Sequence, residues 1–193
     1  MSIKNTAQNY GTIAKWIHWS TALLFLAAYV AVYYRQWFTD PKTDANWTAL
    51  QLHLTFGVSI AVIVALRVVW KFTNPTPVPE PGTRVEQLAA KLGHYALYGI
   101  MIAMPLTGYL GTGVATEFFF LFDIPSFKDT ALFASLFGHS MTFAEFEKPI
   151  DFIHKDLLGA WLVWMLILGH AGAALYHHFV KKDRTRKRMT TGA

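Results

Sequence analysis

The stretch that decides the fold is LLGAWLVWMLILGHAGAALYHHFV, residues 157–180. It contains no Asp, Glu, Lys or Arg, and a run of basic residues follows it directly. A helix needs about 20 apolar residues to cross roughly 30 Å of hydrocarbon. A single span in lipid must also satisfy its backbone hydrogen bonds internally, as a helix does. The stretch therefore predicts a transmembrane helix, at about residues 152–180.

Three further stretches lack charged residues in the same way, at 16–34, 47–66 and 92–116. They lack the polar faces that helices of a soluble bundle show every three or four residues. The whole chain is 53% hydrophobic and only 15% charged. We therefore expect an all-α fold, an integral membrane four-helix bundle that forms one domain over residues 1–193. Its helices should lie at about 12–35, 47–72, 88–115 and 152–180.

The basic residues predict the orientation of this bundle. Of the 17 Lys and Arg residues, five would lie on the outer side, which leaves 12 on the side of both termini. The positive-inside rule places both termini in the cytoplasm. We interpret the basic tail after Val180 as a topology anchor beside anionic lipid, and we expect no nucleic-acid partner.

Two connections differ from ordinary loops. The inner linker NPTPVPEPGT, residues 74–83, has a proline at every second position and should lie extended. The outer loop, from about 117 to 151, contains the aromatic segments EFFFLFDIP and ALFASLFG, which we expect to rest in the membrane interface.

Histidines are the chemically informative residues. The chain has eight, and seven lie in or at the ends of the predicted helices. An ionisable side chain within a membrane usually faces the bundle interior and has a function. The predicted topology sorts them into two layers. The outer layer holds His53 and His154, and the inner layer holds His18, His94, His170, His177 and His178.

Two layers of imidazole pairs suit two b-type haems, since two axial histidines saturate the iron for electron transfer. The chain has no cysteine, which excludes thiolate-ligated haem, iron–sulfur clusters and covalent haem attachment. Two alternatives stay open. One is that the histidines form a zinc or copper site, and the other is that they serve structure or proton transport.

Five segments carry a family resemblance: KWIHWS, LHLTFG, LGHYALY, IHKDLLGAW and GHAGAALYHHFVKKD. Together they resemble the bacterial cytochrome b561 family of small di-haem membrane proteins. The resemblance implies four helices, two haems b, electron exchange with ubiquinone and a place in the bacterial inner membrane. One bacterial member of the family is a superoxide oxidase, so the resemblance also implies that activity, in which electrons are taken from superoxide at the periplasmic face.

The resemblance implies a role for individual residues. His18 and His170 would ligate the iron of the inner haem, and His53 and His154 that of the outer haem. Gly57, one turn after His53, would leave room for a flat macrocycle, or would serve helix packing instead. Arg67 would pair with a propionate of the inner haem, or would act only as a positive-inside anchor.

Three further residues are candidates for the chemistry itself. His177 lies seven residues after His170, two turns along the same helix face, and about 10 Å nearer the cytoplasm. There it would donate a hydrogen bond or a proton to ubiquinone, with His94 serving the other quinone oxygen. Its alternative is an interfacial role, which we also assign to His178. Lys155, beside His154, would attract superoxide.

One spacing fits the resemblance poorly. His154 and His170 are 16 residues apart, which turns them about 160° away from each other on an ideal α-helix. The resemblance implies a spacing nearer 14. Three explanations remain open: a helix deformed near Gly159, haems on different sides of the helix, or an outer ligand other than His154. His139 is then the reserve candidate.

The favoured function is superoxide:ubiquinone oxidoreductase. The first alternative is a cytochrome b subunit that passes electrons between a periplasmic redox partner and the quinone pool. The second is a non-redox transporter whose histidines relay protons. The absence of a carboxylate from the four charge-free stretches disfavours the transporter.

Overall fold

The structure, a computed structural model, describes residues 2–191. Three long helices come first: α1 (Thr12–Phe38), α2 (Asp44–Thr73) and α3 (Arg84–Leu110). A short loop joins α1 to α2, and the proline-rich linker between α2 and α3 lacks regular secondary structure, as expected. The linker ends at Thr83, which forms a reciprocal capping box with Glu86 at the start of α3.

The fourth long element is a continuous helix over residues 143–181, here called the long helix. It consists of α5 (Phe143–Asp151), an 11-residue π-helix (Phe152–Leu162), α6 (Val163–Tyr176) and a short π-helix (His177–Lys181). It begins nine residues before the predicted start. In contrast, α3 ends at Leu110, five residues before its predicted end.

These helices expose large apolar side chains that a soluble protein would bury. On α1, Leu23, Leu26 and Val30 are each more than half exposed, and other large apolar side chains are equally exposed on the remaining helices. Such a surface belongs in lipid rather than in water. Within residues 2–191, α1, α2 and the long helix are long and apolar enough to cross a membrane. The mainly helical membrane fold is thereby confirmed, while α3 as a fourth span remains a prediction.

The core lies between the four long helical segments. Tyr29 from α1 packs there with aliphatic and methionine side chains from the other three segments. The buried core residues are Phe25, Ala28, Tyr29, Ile60, Val64, Ile100, Met101, Leu158 and Val163.

The outer loop contains strands that an all-α fold does not include. Strands β1 (Thr116–Phe118) and β2 (Phe122–Ile124) form an antiparallel hairpin, with Glu117 opposite Asp123. The turn residues Phe119 and Phe120 have positive φ angles of 47° and 59°, which non-glycine residues seldom adopt. The loop continues through a 3₁₀ turn (Phe127–Asp129) and α4 (Ala131–Leu136). We call this side of the bundle the hairpin end.

Side chains of α2 hold the hairpin in place. The fully buried Gln51 side chain donates to the carbonyl of Ala115 (3.1 Å) and accepts from the amide of Glu117 (2.8 Å). Thr55, 1% exposed, donates to the carbonyl of Glu117 and accepts from the amide of Phe119. These bonds pair backbone groups at the hairpin edge with side chains of α2, in addition to the turn bond from the amide of Phe120 to the carbonyl of Glu117.

The basic tail folds over the opposite side of the bundle, here called the terminal end. It includes the short helix α7 (Thr185–Met189). The indole of Trp19 donates to the carbonyl of Met189 (2.9 Å), and Lys15 donates to that of Thr190 (3.3 Å). Arg188 forms an ion pair with Glu80 of the linker at 2.6 Å. The tail therefore joins α1 to the linker as well as carrying positive charge.

Candidate haem sites

The first histidine pair lies toward the hairpin end. The ring centroids of His53 and His154 are 6.2 Å apart, with an interplanar angle of 77°. Nδ1 of His53 lies 2.9 Å from the carbonyl oxygen of Ala28. A carbonyl only accepts, so Nδ1 carries the proton and Nε2 is left as an unprotonated nitrogen in the neutral ring.

Thr107 on α3 orients His154 in a similar way. The Thr107 hydroxyl donates to the carbonyl of Ala103 (2.7 Å) and lies 3.0 Å from Nδ1 of His154. Because its hydrogen is used on Ala103, its oxygen accepts from Nδ1–H of His154. Nε2 of His154 is then also left unprotonated in the neutral ring. A ligating histidine commonly donates its second ring N–H in this manner.

The π-helix removes the predicted misalignment of His154. Each π turn holds one residue more than an α turn. The 11-residue π-helix between Phe152 and Leu162 makes about two such turns. The 16-residue spacing then equals about 14 residues of α-helix, which is within about 40° of four complete turns. The predicted deformation near Gly159 is therefore present, while His139 lies in an exposed turn after α4.

The second group of histidines lies toward the terminal end. The ring centroid of His170 is 6.1 Å from that of His18 and 5.8 Å from that of His94. Nη2 of Arg67 lies 3.3 Å from Nδ1 of His18. Arginine only donates, so Nδ1 of His18 is the acceptor in this contact. The Arg67 guanidinium also lies 5.5 Å from the centre of the Tyr98 ring.

The two groups are well separated along the bundle. Ala28, whose carbonyl contacts His53, lies ten residues after His18 on α1, a helical rise of about 15 Å. Among residues 2–191, no three His, Asp or Glu side chains converge as a metal-ion cage. The separation along α1 puts the histidines in two layers.

The geometry fits haem with two axial imidazoles. Imidazole binds metal ions at about 2 Å, so two rings on opposite sides of one ion have centroids roughly 6 Å apart. A Cβ built on Gly57 would meet no described atom within 4 Å, which leaves space near His53. An apolar cleft of about 270 Å³ also separates α3 from the long helix. Its lining residues are Ala96, Gly99, Ile100, Ala103, Leu158, Leu162 and Leu166.

Three other predicted site residues, Lys155, His177 and His178, lie outside the two histidine groups. Lys155 is exposed and forms an ion pair with Asp151 (2.5 Å). His177, the first residue of the short π-helix, contacts Asp183 at 2.5 Å. His178 is half-buried, and its Nε2 lies 3.1 Å from Nη2 of Arg186. Of the two predicted quinone residues, His94 therefore adjoins the second histidine group, while His177 has a separate acidic partner.

Three contributors to the site were missed by sequence reasoning. The Ala28 contact uses a backbone carbonyl, which leaves no signal in the residue type. Thr107 and Gly108 form a small polar dipeptide in an apolar stretch, a weak signal that was available. A Cβ on Gly108 would lie 3.0 Å from Cε1 of His154, so this glycine lets α3 approach the ring.

Comparisons with known proteins agree with this arrangement. Residues 9–192 match the family described as prokaryotic cytochrome b561. The chain is 30% identical to cytochrome b561 homolog 2 of Escherichia coli (strain K12), over 98% of this chain and 95% of that protein. It is 28% identical to cytochrome b561 homolog 1 of the same organism, over 90% and 92%. It is 29% identical to the probable superoxide oxidase CybB of Yersinia pestis, over 94% and 96%.

The match spans nearly the whole described chain and includes both histidine groups. It confirms the resemblance carried by the five quoted segments. The chain belongs to the prokaryotic cytochrome b561 family, and it is a membrane electron-transfer protein of a kind that binds haem b.

Proposed function

We propose that this protein is a superoxide:ubiquinone oxidoreductase of the bacterial inner membrane. It spans the membrane with four helices, including α3, and holds both termini in the cytoplasm. The net reaction oxidises two superoxide ions to two molecules of oxygen and reduces one ubiquinone to ubiquinol, with two protons taken up. The observation that carries the proposal is the presence of two histidine pairs at different depths of one bundle.

Each pair would hold one haem b. His53 and His154 are the proposed ligands at the periplasmic side, and His18 and His170 are those at the cytoplasmic side. The haem supplies reversible one-electron chemistry of its iron. Gly57 would leave clearance for the outer macrocycle, and Arg67 would pair with a propionate of the inner one. The contact with His18 places the Arg67 cation beside the inner pair. Because it makes Nδ1 of His18 the acceptor, the neutral ring carries its proton on Nε2, so Arg67 would move from Nδ1 to the propionate when His18 holds the haem.

The proposed ubiquinone site lies at the cytoplasmic side of the inner pair. His94 is a candidate because its ring lies against His170. His177 lies seven residues further along the same helix, about 10 Å by helical rise. These two imidazoles would donate hydrogen bonds to the quinone oxygens and supply protons as the quinone is reduced.

Superoxide is the favoured donor because one relative carries the name probable superoxide oxidase. Its oxidation removes one electron and needs no acid or base. We assign Lys155, beside His154, to the attraction of this anion. Its ion pair with Asp151 would weaken the attraction, so an open Lys155 is part of the proposal.

The same ion pair favours a second candidate, electron transfer with a periplasmic redox protein. The hairpin presents an exposed tip, with Leu121 at 80% and Phe122 at 57% exposure, beside the acidic pair Glu117 and Asp123. A basic partner protein with an apolar contact patch would complement this surface.

The first experiment is a reduced-minus-oxidised absorption spectrum of the purified protein, with haem quantified per chain. Two low-spin haems b are expected. His154→Ala and His18→Ala should each remove one haem, whereas His139→Ala should remove none. Superoxide-driven ubiquinone reduction then separates the candidates, since the second predicts little turnover without a protein partner. Protein that binds no haem would refute both.

A further inference from the structure

The basic tail carries a carboxylate whose position has no part in anchoring. After the short π-helix (His177–Lys181), Lys182 adopts a left-handed conformation with a φ of 56°. This turn brings Asp183 back to the preceding helix. Its amide donates to the carbonyl of His177 at 3.2 Å, and its Oδ2 lies 2.5 Å from Nδ1 of the same residue. Backbone and side chain thus both bind His177.

The second carboxylate oxygen is also engaged. Oδ1 of Asp183 accepts from the backbone amide of Thr185 at 2.9 Å, in the first turn of α7. The Asp183 side chain is only 17% exposed, and that of His177 is 26% exposed. With both oxygens occupied, the carboxylate has a defined orientation toward the imidazole.

We infer that Asp183 is a positioning residue for quinone reduction, acting through His177; this rests on the proposed function. A carboxylate accepts only, so it holds the proton on Nδ1 of His177 and turns Nε2 away from itself. In the imidazolium form Nε2 also carries a proton, and it gives that proton to a quinone oxygen as the oxygen gains electron density, which leaves the neutral Nδ1–H ring. Water at the cytoplasmic surface returns a proton to Nε2, and Asp183 stays ionised throughout.

The surrounding charges leave this pairing intact. Lys181, on the same short π-helix, is paired with Glu86 of α3. The Tyr176 ring contacts the His177 ring edge to face, at 6.0 Å between centroids. The neighbouring His178 is half-buried and lies beside the Arg186 cation. His177 is therefore paired with a carboxylate, whereas the adjacent His178 lies beside a cation. The carboxylate partner suits His177 to proton transfer.

The test compares Asp183→Asn with wild-type protein in ubiquinone reduction. We expect kcat to fall about tenfold, less than the roughly 10²–10⁴-fold that a positioned proton donor contributes, because His177 itself is kept. No matching change in KM is expected. Reduction of ferricyanide, which takes up no proton, should be unchanged. Asp183→Glu should recover part of the rate, and Asp156→Asn, on the exposed surface of the long helix, should match wild type.

The outcomes separate the two proposals. Wild-type protein that reduces no ubiquinone would refute the proposed function, and the inference with it. Wild-type turnover together with an equal kcat in Asp183→Asn would refute the inference alone. If Asp183→Asn loses haem, the rate of ubiquinone reduction is compared instead in Asp183→Glu, in His177→Gln and in the variant that combines them. An additive loss in the Asp183→Glu/His177→Gln double variant would show that Asp183 does not act through His177.

Discussion

The phenol of Tyr29 on α1 donates a 2.7 Å hydrogen bond to the backbone carbonyl of Gly159 in the long helix. Gly159 lies within the π-helix, five residues after His154. Tyr29 itself is 9% exposed and belongs to the core. This bond ties α1 to the irregular backbone that brings His154 into register with His170.

Tyr29→Phe should destabilise the protein by about 1 kcal/mol, the usual net value of a buried hydrogen bond. The expected fall in Tm is about 2–4 °C for a chain of this size. The matched control is Tyr34→Phe on the same helix, since Tyr34 is 48% exposed. Thermal unfolding followed by circular dichroism measures both. Equal melting of the two variants would contradict a structural role for the Gly159 contact.

Gly159→Ala should disturb the π-helix itself. A Cβ at this position would lie 2.7 Å from the carbonyl oxygen of His154, closer than real Cβ atoms approach. We expect selective loss of the outer haem, seen as one haem per chain. Gly172→Ala is the control on the same helix, because a Cβ there meets no described atom within 4 Å. Two retained haems in Gly159→Ala would show that His154 tolerates the shift.

Thr107→Val should weaken the outer site without changing its shape. Valine cannot accept from Nδ1–H of His154, so the ring loses the contact that sets its tautomer. Loss of such a partner commonly lowers metal affinity 10- to 100-fold. Haem release to apomyoglobin measures the effect, and Thr107→Ser, which restores the hydroxyl, should behave as wild type. A release rate in the Val variant equal to that of wild type would exclude this role.

Gln51→Leu should release the hairpin. The change leaves the Ala115 carbonyl and the Glu117 amide without their partner, at a cost of about 1–3 kcal/mol for each buried group. Limited proteolysis should cut the hairpin turn faster in this variant. Gln87→Leu, which removes an exposed side-chain contact at the other end of the bundle, should leave cleavage unchanged.

The Asp183 contact predicts a dependence of stability on pH. Burial alone would raise the pKa of Asp183, but hydrogen bonds from His177 and Thr185 outweigh it and lower the pKa below the ordinary value. A lowered carboxyl pKa contributes stability that is present above the unfolded-state pKa and lost as the pH falls through the folded-state pKa. The Tm difference between wild type and Asp183→Asn should therefore shrink below about pH 4. A constant difference from pH 7 to pH 3 would contradict this.

The long helices could be predicted because lipid imposes a strong rule on composition. A charge inside a span is costly, so charge-free stretches of about 20 residues mark the helices. The same rule assigns the histidines to depths, and the structure brings His53 to His154 and His18 to His170. The Thr83–Glu86 capping box that begins α3 was also readable in the sequence, although the predicted helix starts four residues later.

The π-helix and the hairpin could not be predicted from composition in this way. A π-helix shifts each hydrogen bond by one residue and leaves no compositional signature; only the 16-residue spacing and Gly159 pointed to it. The hairpin turn uses Phe119 and Phe120 instead of the Asn-Gly or Asp-Gly pairs that usually signal such a turn. Its edge is held by Gln51 and Thr55, more than 60 residues away in the chain, and that pairing depends on the finished fold.

The ion pair between Arg188 and Glu80 has a consequence for how the protein is made. Arg188 follows all four long helical segments in the chain, so this ion pair forms only once every segment of the bundle has been synthesised. Until then the terminal end lacks its contacts from the tail to Lys15, Trp19 and the linker. Docking of the tail, which closes the terminal end, is therefore the last step in the assembly of the bundle.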